Sequence, residues 1–369
     1  MRDLTLAIFL LITGLQLQSA YPQEPAGTVN PRHYVCYKAS SPLTVDGLIN
    51  EADWHNAPWS EYFVDIEGNL KPEPAFKTRI KMLWDDKYLY IAAELEDPNV
   101  WANLTERESV IFNDNDFEVF IDPDGDTHNY AEYEMNAMNT QWDLMLLMPY
   151  RDNIKQNVAI DNWNFNGIKS AVHVNGTINN PGDTDQGWTL EIAFPLDALT
   201  ELSRTGKLPV HGEQYRIDFS RVEWTVDVVE GKYKKRTYMV DGKEKPLPEN
   251  NWVWSPQGVI AMHQPETWGY LQFSESVAGK GNDTFVPDPD QDVKWALRML
   301  YYREKAYFEK SGLYTTDLKA LNLETYSLYG NPFTPAIRML FSKWEASSPG
   351  TTIKSTWHID QEGKIWKED

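Results

Sequence analysis

Between Asn113 and Asp126 the chain concentrates carboxylates in a pattern that can do chemistry. Phe117, Val119 and Ile121 alternate with Asp116, Glu118 and Asp122, so a strand here turns an apolar face one way and an acidic face the other. Acids filling one face of a strand add little to a core. They grasp hydroxyls, hold a cation or pair with arginine. Glu134 has the same alternation on the next predicted strand, and Arg221 and Glu223 lie on a strand that begins at Tyr215. If Glu118, Glu134, Arg221 and Glu223 share a face, an arginine–carboxylate fork there is planar and bidentate and suits cis hydroxyls or an anionic sugar. The same four residues also read as an ion-pair network that orders the sheet.

Downstream, Asp122, Asp124 and Asp126 place carboxylates at every second position around Gly125. Hard oxygens about a tight glycine turn suit Ca²⁺, although the spacing is not that of an EF-hand. An Asx-rich hairpin turn that needs no ion has the same composition. Phe112, Trp101, Trp163 and Trp252 offer rings for stacking or for plugging a sandwich edge. His128, His173, His211 and His263 are scattered without zinc-site spacing. The chain shows no nucleophile elbow, P-loop or Rossmann fingerprint.

The elements that must position these residues are strands. Ile80, Met82 and Trp84 alternate with polar neighbours, and Tyr88 to Leu95 is a nearly continuous apolar run. Tyr133, Met135 and Ala137 form one stripe, and Trp142, Leu144 and Leu146 form another. Trp188 to Phe194 is stopped by Pro195, Tyr215, Ile217 and Phe219 repeat the pattern, and 268–274 closes it. Many short strands with turns between them predict a mainly β fold, an antiparallel β-sandwich over 32–275. Short helices are expected at Asn50–His55 and Leu196–Ser203. Residues 276–289 have linker composition. From 290 the period changes to helical through 311, a short helix is expected at Thr316–Leu321, and two or three strands follow over 336–366. This tail predicts a small C-terminal α+β appendage.

Composition narrows the partners. A net charge of −21 excludes nucleic acid as a natural partner and disfavours anionic membrane surfaces. Residues 1–20 read as a secretory signal cleaved near Ala20, which predicts a secreted or periplasmic bacterial protein. No later segment is apolar enough for membrane insertion. The single cysteine, Cys36, excludes an internal disulfide, so the fold rests on its core and on any bound metal.

Several ordered pieces of 40–275 resemble the family 9 carbohydrate-binding module. Leu43-Thr44-Val45-Asp46-Gly47 with Glu51 and Trp54 is similar to its opening. Trp84 to Ile91, Asp116 to Asp122, and Trp188 to Phe194 resemble three of its strands. Trp254-Ser255 and Trp268-Gly269 bracket its last loop at matching spacing. The resemblance implies a jelly-roll-like sandwich in which two tryptophans sandwich a sugar ring while a glutamate, an arginine and amides hold its hydroxyls. The glutamate carries over to Glu118. The two tryptophan positions fall at Phe112 and Met262, the arginine position falls near Glu134, and His263 lies in the loop opposite Phe112. Arg221 is the residue available to replace the lost guanidinium. The resemblance also implies structural calcium, without mapping its ligands onto this chain.

These readings together predict a secreted, non-catalytic carbohydrate-binding protein. Its site would comprise Phe112, Glu118, Glu134, Arg221, Met262 and His263, with calcium at Asp122, Asp124 and Asp126. A glycoside hydrolase using a pair among Glu118, Glu134 and Glu223 is the first alternative. The second is a structural module whose appendage docks a protein partner through Trp295, Tyr301, Tyr302, Tyr307 and Phe308.

Overall fold

A computed structural model describes residues 22–26, 29–151, 157–160, 162–351 and 355–368. The expected signal segment lies outside the described residues. The principal strands are β1 (His33–Lys38), β2 (Thr78–Trp84), β3 (Tyr88–Glu96), β4 (Asp116–Asp122), β5 (Tyr130–Asn136), β6 (Gln141–Leu146), β7 (Lys169–Asn175), β8 (Gly187–Pro195), β9 (Gln214–Glu223), β10 (Asn250–Val253) and β11 (Gly269–Val277). They run in the order β6-β5-β4-β9-β11-β1-β2-β3-β8-β7 within one hydrogen-bonded sheet, with β10 added to β9. The sheet folds over at β1. That strand pairs with β11 through His33 to Cys36 and with β2 through Tyr37 and Lys38, with an irregularity between Cys36 and Lys38 that lets it change partners. The remaining pairings of the principal strands are antiparallel, but β1 is parallel to both neighbours.

Strand alternation fills the space between the two layers. Phe117, Val119 and Ile121 of β4, Tyr133 of β5, and Ile217 and Phe219 of β9 meet Met82, Ile91, Leu190 and Ile192 from the facing layer in one core. The apolar stripe of β6 behaves differently. Leu144 and Leu146 pack with Phe120, Tyr130 and Trp268 on the outer face of their own layer.

Two of the pieces that carry the family resemblance meet at one anchor. Glu191 of β8 is 2% exposed. One of its oxygens accepts the Trp54 indole N–H at 2.7 Å, and the other accepts the amides of Asp46 and Gly47, each at 2.9 Å. Gly47 takes φ +86° with no room for a Cβ against Val172 and His173. The helix that brings Trp54 to this point is Ala52–Asn56, and a second short helix is Leu196–Thr200.

Residues 276–289 run against the sandwich. Phe285 stacks on His33 at 4.3 Å, and Gln272 bonds the backbone of Thr284 and Val286. The helix Gln291–Ser311 follows, ended by Gly312 at φ 72°. Asp290 precedes the helix, but its carboxylate binds Thr351 and the Trp357 indole instead of the helix start. Residues 316–321 form turns and no helix. Four strands, Ala336–Leu340, Lys343–Pro349, Thr356–Asp360 and Ile365–Glu368, complete the appendage around Trp344. The appendage is clasped to the sandwich. Arg298 and Thr127 both donate to the Gly363 carbonyl, and the Ile365 amide donates to the Asp126 carbonyl at 3.2 Å. Tyr301 and Tyr302 are buried, which removes two aromatics from the docking surface expected on this helix.

Glu191→Ala strands three donors, those of Gly47 and Trp54 buried and that of Asp46 partly so, and is expected to cost about 3 kcal/mol. Urea denaturation checks this. A loss below about 1 kcal/mol would mean that the anchor is incidental to stability.

Candidate functional site

The outer face of β4, β5 and β9 collects acids. Ser220, Glu118, Glu134 and Trp142 lie in one row across four strands. Asp218, Phe120, Glu132 and Leu144 form the next row, and Asp116 sits opposite Asn136. Asp116, Glu118 and Glu134 each bring a carboxylate oxygen within 4.8 Å of the other two. The loop before β4 is held by Asp114, whose carboxylate accepts the amides of Asn103 and Leu104 and the side-chain amide of Asn136. Glu134 accepts the Phe112 amide at 3.0 Å, and Asp116 accepts the Val222 amide at 3.2 Å. All four acids are buried, Glu118 and Glu132 the least so at 6% and 7% exposure against 0% for Asp116 and 1% for Glu134.

Burial dominates their ionisation. It pushes Glu118 up to about 7, with Glu249 adding to the rise and the Ser220 hydroxyl opposing it. It pushes Glu132 to about 8, with the Glu118 charge adding to it. Glu134 and Asp116 move the same way, through burial first and then their acidic neighbours.

The structure does not bring Arg221 and Glu223 to this face. Both share strand parity with Tyr215, Ile217 and Phe219, so they point inward. Arg221 is 1% exposed. It pairs with Glu223 at 2.8 Å and donates to the Glu96 carbonyl at 2.8 Å and the Thr78 hydroxyl at 3.1 Å. Its guanidinium also lies 5.3 Å from the Trp252 ring. Of the two readings of this group, the ordering ion pair describes Arg221 and Glu223, and the expected Arg fork over Glu118 and Glu134 is absent.

Phe112, Trp142, Met262 and His263 are partly exposed around the acids. Phe112 packs beside Trp101, Val222 and Trp224, while Trp142 and Met262 pack on the cluster of Phe120, Tyr130 and Trp268. His263 bonds the Tyr130 hydroxyl at 2.8 Å and lies 3.9 Å from Glu132. Burial lowers it to about 3, so it stays neutral. Trp101 and Trp252 are buried, and Trp163 packs on Phe165. The sequence reading passed over Asp116, Glu132 and Trp142 as site residues. All three have even numbers within strands whose core residues are odd, except that Trp142 belongs to the outer apolar stripe.

The Asp122–Asp126 turn holds its own cations. Both Asp122 oxygens accept backbone amides, those of Gly125 at 2.9 Å and Thr127 at 2.8 Å. Arg204 reaches Asp124 and Asp126 at 3.2 and 3.3 Å, and Lys364 reaches Asp126 at 3.2 Å. Among the described residues only Asp124 Oδ1, of the six loop carboxylate oxygens, has neither a hydrogen bond nor an ion pair. Asp122, Asp124 and Asp126 also bring one carboxylate oxygen each within 4.8 Å of the others, and Arg204 and Lys364 already neutralise part of that charge. A separate cavity of about 170 Å³ lies between sandwich and appendage, lined by Arg216, Glu266, Tyr270, Trp295 and Arg298 among others.

The raised acids set a pH dependence. The folded state holds protons that the unfolded chain has released, so this stabilisation is full below about pH 4 and is lost as pH rises through the folded values of Glu118 and Glu132, about 7 and 8. His128 and His263, both lowered to about 3, act oppositely but only below about pH 6.5. Unfolding free energy in chelator is therefore expected to fall from about pH 6.5 to 8 and to level off above the folded values. Glu132→Gln should flatten that slope by up to about 1.4 kcal/mol per pH unit. A wild-type profile that is flat in this window contradicts the assignment.

The chain is 30% identical over 128 residues to "Exoglucanase XynX" of Acetivibrio thermocellus and 29% identical over 128 residues to "Endo-1,4-beta-xylanase A" of Thermoanaerobacterium saccharolyticum. Each match covers 34% of this chain and 9% of the relative. The chain thus spans under a tenth of the length of these curated relatives. Among solved structures, a family 9 carbohydrate-binding module from Caldicellulosiruptor kristjanssonii in complex with cellotriose aligns with 16% identity and TM-score 0.41, over 70% of this chain and 99% of that one. A putative carbohydrate-binding protein from Bacteroides uniformis aligns with 14% identity and TM-score 0.45, over 66% of this chain and 100% of that one. The family model described as "Carbohydrate family 9 binding domain-like" matches residues 45–230, half of the chain, from the Asp46-Gly47 turn through the whole of β4, β5, β8 and β9. The chain belongs to the carbohydrate family 9 binding domain-like family.

Proposed function

We propose that this protein is a secreted, non-catalytic carbohydrate-binding protein whose recognition face is the acidic patch on β4 and β5. Family membership supports the ligand class. The observation that carries the location is the position of Glu118 and Glu132, the least buried of the four acids, among the partly exposed rings of Phe112, Trp142 and His263 and the side chain of Met262. Above their raised values of about 7 and 8, Glu118 and Glu132 are ionised and only accept, which selects a ligand rich in O–H donors; below them each carboxyl also donates one hydrogen bond. Apolar and aromatic groups beside them suit the flat faces of a sugar ring. Arg221 takes no part, being turned inward. The acceptors on this face are not balanced by a guanidinium, so the ligand is neutral or cationic and an acidic sugar is disfavoured.

A second reading, a glycoside hydrolase, draws on the spacing of Glu118 and Glu134. Their carboxylate oxygens lie within 4.8 Å, near the ~5–5.5 Å separation of retaining enzymes. A proton donor poised near neutrality is also present in Glu118, at about 7.

A glycan array followed by calorimetry tests the proposal. Binding to a neutral glycan is expected, with Glu118→Gln weakening it at least ~10-fold through loss of a charge-assisted hydrogen bond. Trp142→Ala should weaken it by a similar factor. No binding to any glycan, or binding indifferent to both substitutions, overturns the site. Chromogenic glycosides separate the two readings, since turnover lost in Glu118→Gln would establish the enzyme.

A further inference from the structure

We propose that Asp116, Glu118 and Glu134 together bind a hard divalent cation, Ca²⁺. Three observations carry this. The carboxylate oxygens of the three residues lie within 4.8 Å of one another, close enough that a small inward shift of the side chains brings all three to a Ca²⁺–oxygen distance of ~2.4 Å. Asp116 is fully buried, and its Oδ2 has no hydrogen-bond partner, while its other oxygen is taken by the Val222 amide. None of the three acids forms an ion pair among the described residues.

The contrast with the rest of the molecule sharpens the point. Buried Glu223 has Arg221 at 2.8 Å, buried Glu266 has Arg151 at 2.6 Å, and Asp126 has Lys364 at 3.2 Å. The Asp116 group has no such base. Lys235, whose field reaches Asp116, lies 3.3 Å over the Trp224 ring and makes no ion pair with the acids. Glu132, Glu249 and Asp114 also face the group and add negative charge. Uncompensated burial of several carboxylates costs several kcal/mol per charge, and a divalent ion removes most of it. An all-carboxylate donor set selects a hard cation over zinc or copper, and Ca²⁺ tolerates the irregular geometry that Mg²⁺ resists. The hydroxyl of Ser220, next to Glu118 in its row, and water are available to complete the shell.

The inference does not rest on the sugar reading, because cation binding is measured without glycan. The full chain is stripped with chelator and titrated with Tb³⁺ under tryptophan excitation, Trp142 being the cross-strand partner of Glu134. Saturable emission, displaced by Ca²⁺ and weakened at least tenfold in Asp116→Asn and in Glu134→Gln but unchanged in Asp124→Asn, is the expected result. Emission that is absent, or that persists in the first two variants and disappears in Asp124→Asn, overturns the proposal. Should the variants fail to fold, anomalous scattering from a Tb³⁺-soaked wild-type crystal decides. A peak among the three carboxylates supports the site, and a peak only elsewhere, or none, refutes it.

Discussion

A β-strand offers its side chains to two faces in turn, and this alternation decides what each charged residue of the sandwich can do. On β9, Asp218 and Ser220 face outward and Arg221 and Glu223 face inward. One position of offset separates a guanidinium from the acids it would neutralise. Inside, Arg221 and Glu223 compensate each other among aromatic rings. Outside, Asp116, Glu118, Glu132 and Glu134 form no ion pair with arginine or lysine among the described residues, and burial raises the ionisation of all four above the usual carboxylate range.

Most of the scaffold was legible because the same alternation is written into the sequence. The stripes of Phe117, Tyr133 and Phe219 named the core faces, and the helical period named Gln291–Ser311. Two of the motif pieces that carried the resemblance, the Asp46-Gly47 opening with Trp54 and the Trp188–Phe194 strand, meet in one anchor through Glu191, so these two report the fold and stand apart from the ligand. What was missed follows from weighing charge above parity. Arg221 shares odd numbering with Tyr215 and Ile217, which places it in the interior, yet its complementarity to Glu118 drew it to the wrong face. The Trp142 stripe could not be assigned, because alternation says that a face is apolar without saying which side of the sheet it covers. The stretch 276–289 has the composition of a linker, but the backbone of Thr284 and Val286 bonds Gln272 on an interior strand of the sheet, a tertiary contact that composition does not encode.

The same logic bears on how a family fold can keep its frame while its surface changes. By the family resemblance the glutamate position falls at Glu118, the arginine position near Glu134, and the two tryptophan positions at Phe112 and Met262. None of these positions touches the anchor or the interlayer core, so the frame is indifferent to them, and change there falls on one outer face.

The clasp between Thr127, Asp126 and the turn at Gly363–Ile365 joins chain segments 236 residues apart. Thr127 is β-branched and sits at φ 78°, a conformation it adopts at a cost that its bonds to Asp122 and Gly363 must offset. During synthesis the hairpin after β4 emerges from the ribosome long before its second tether exists. Until the strand Ile365–Glu368 and the turn before it have left the exit tunnel, the Thr127 bond to Gly363 cannot form, so that tether is added to a turn made 236 residues earlier.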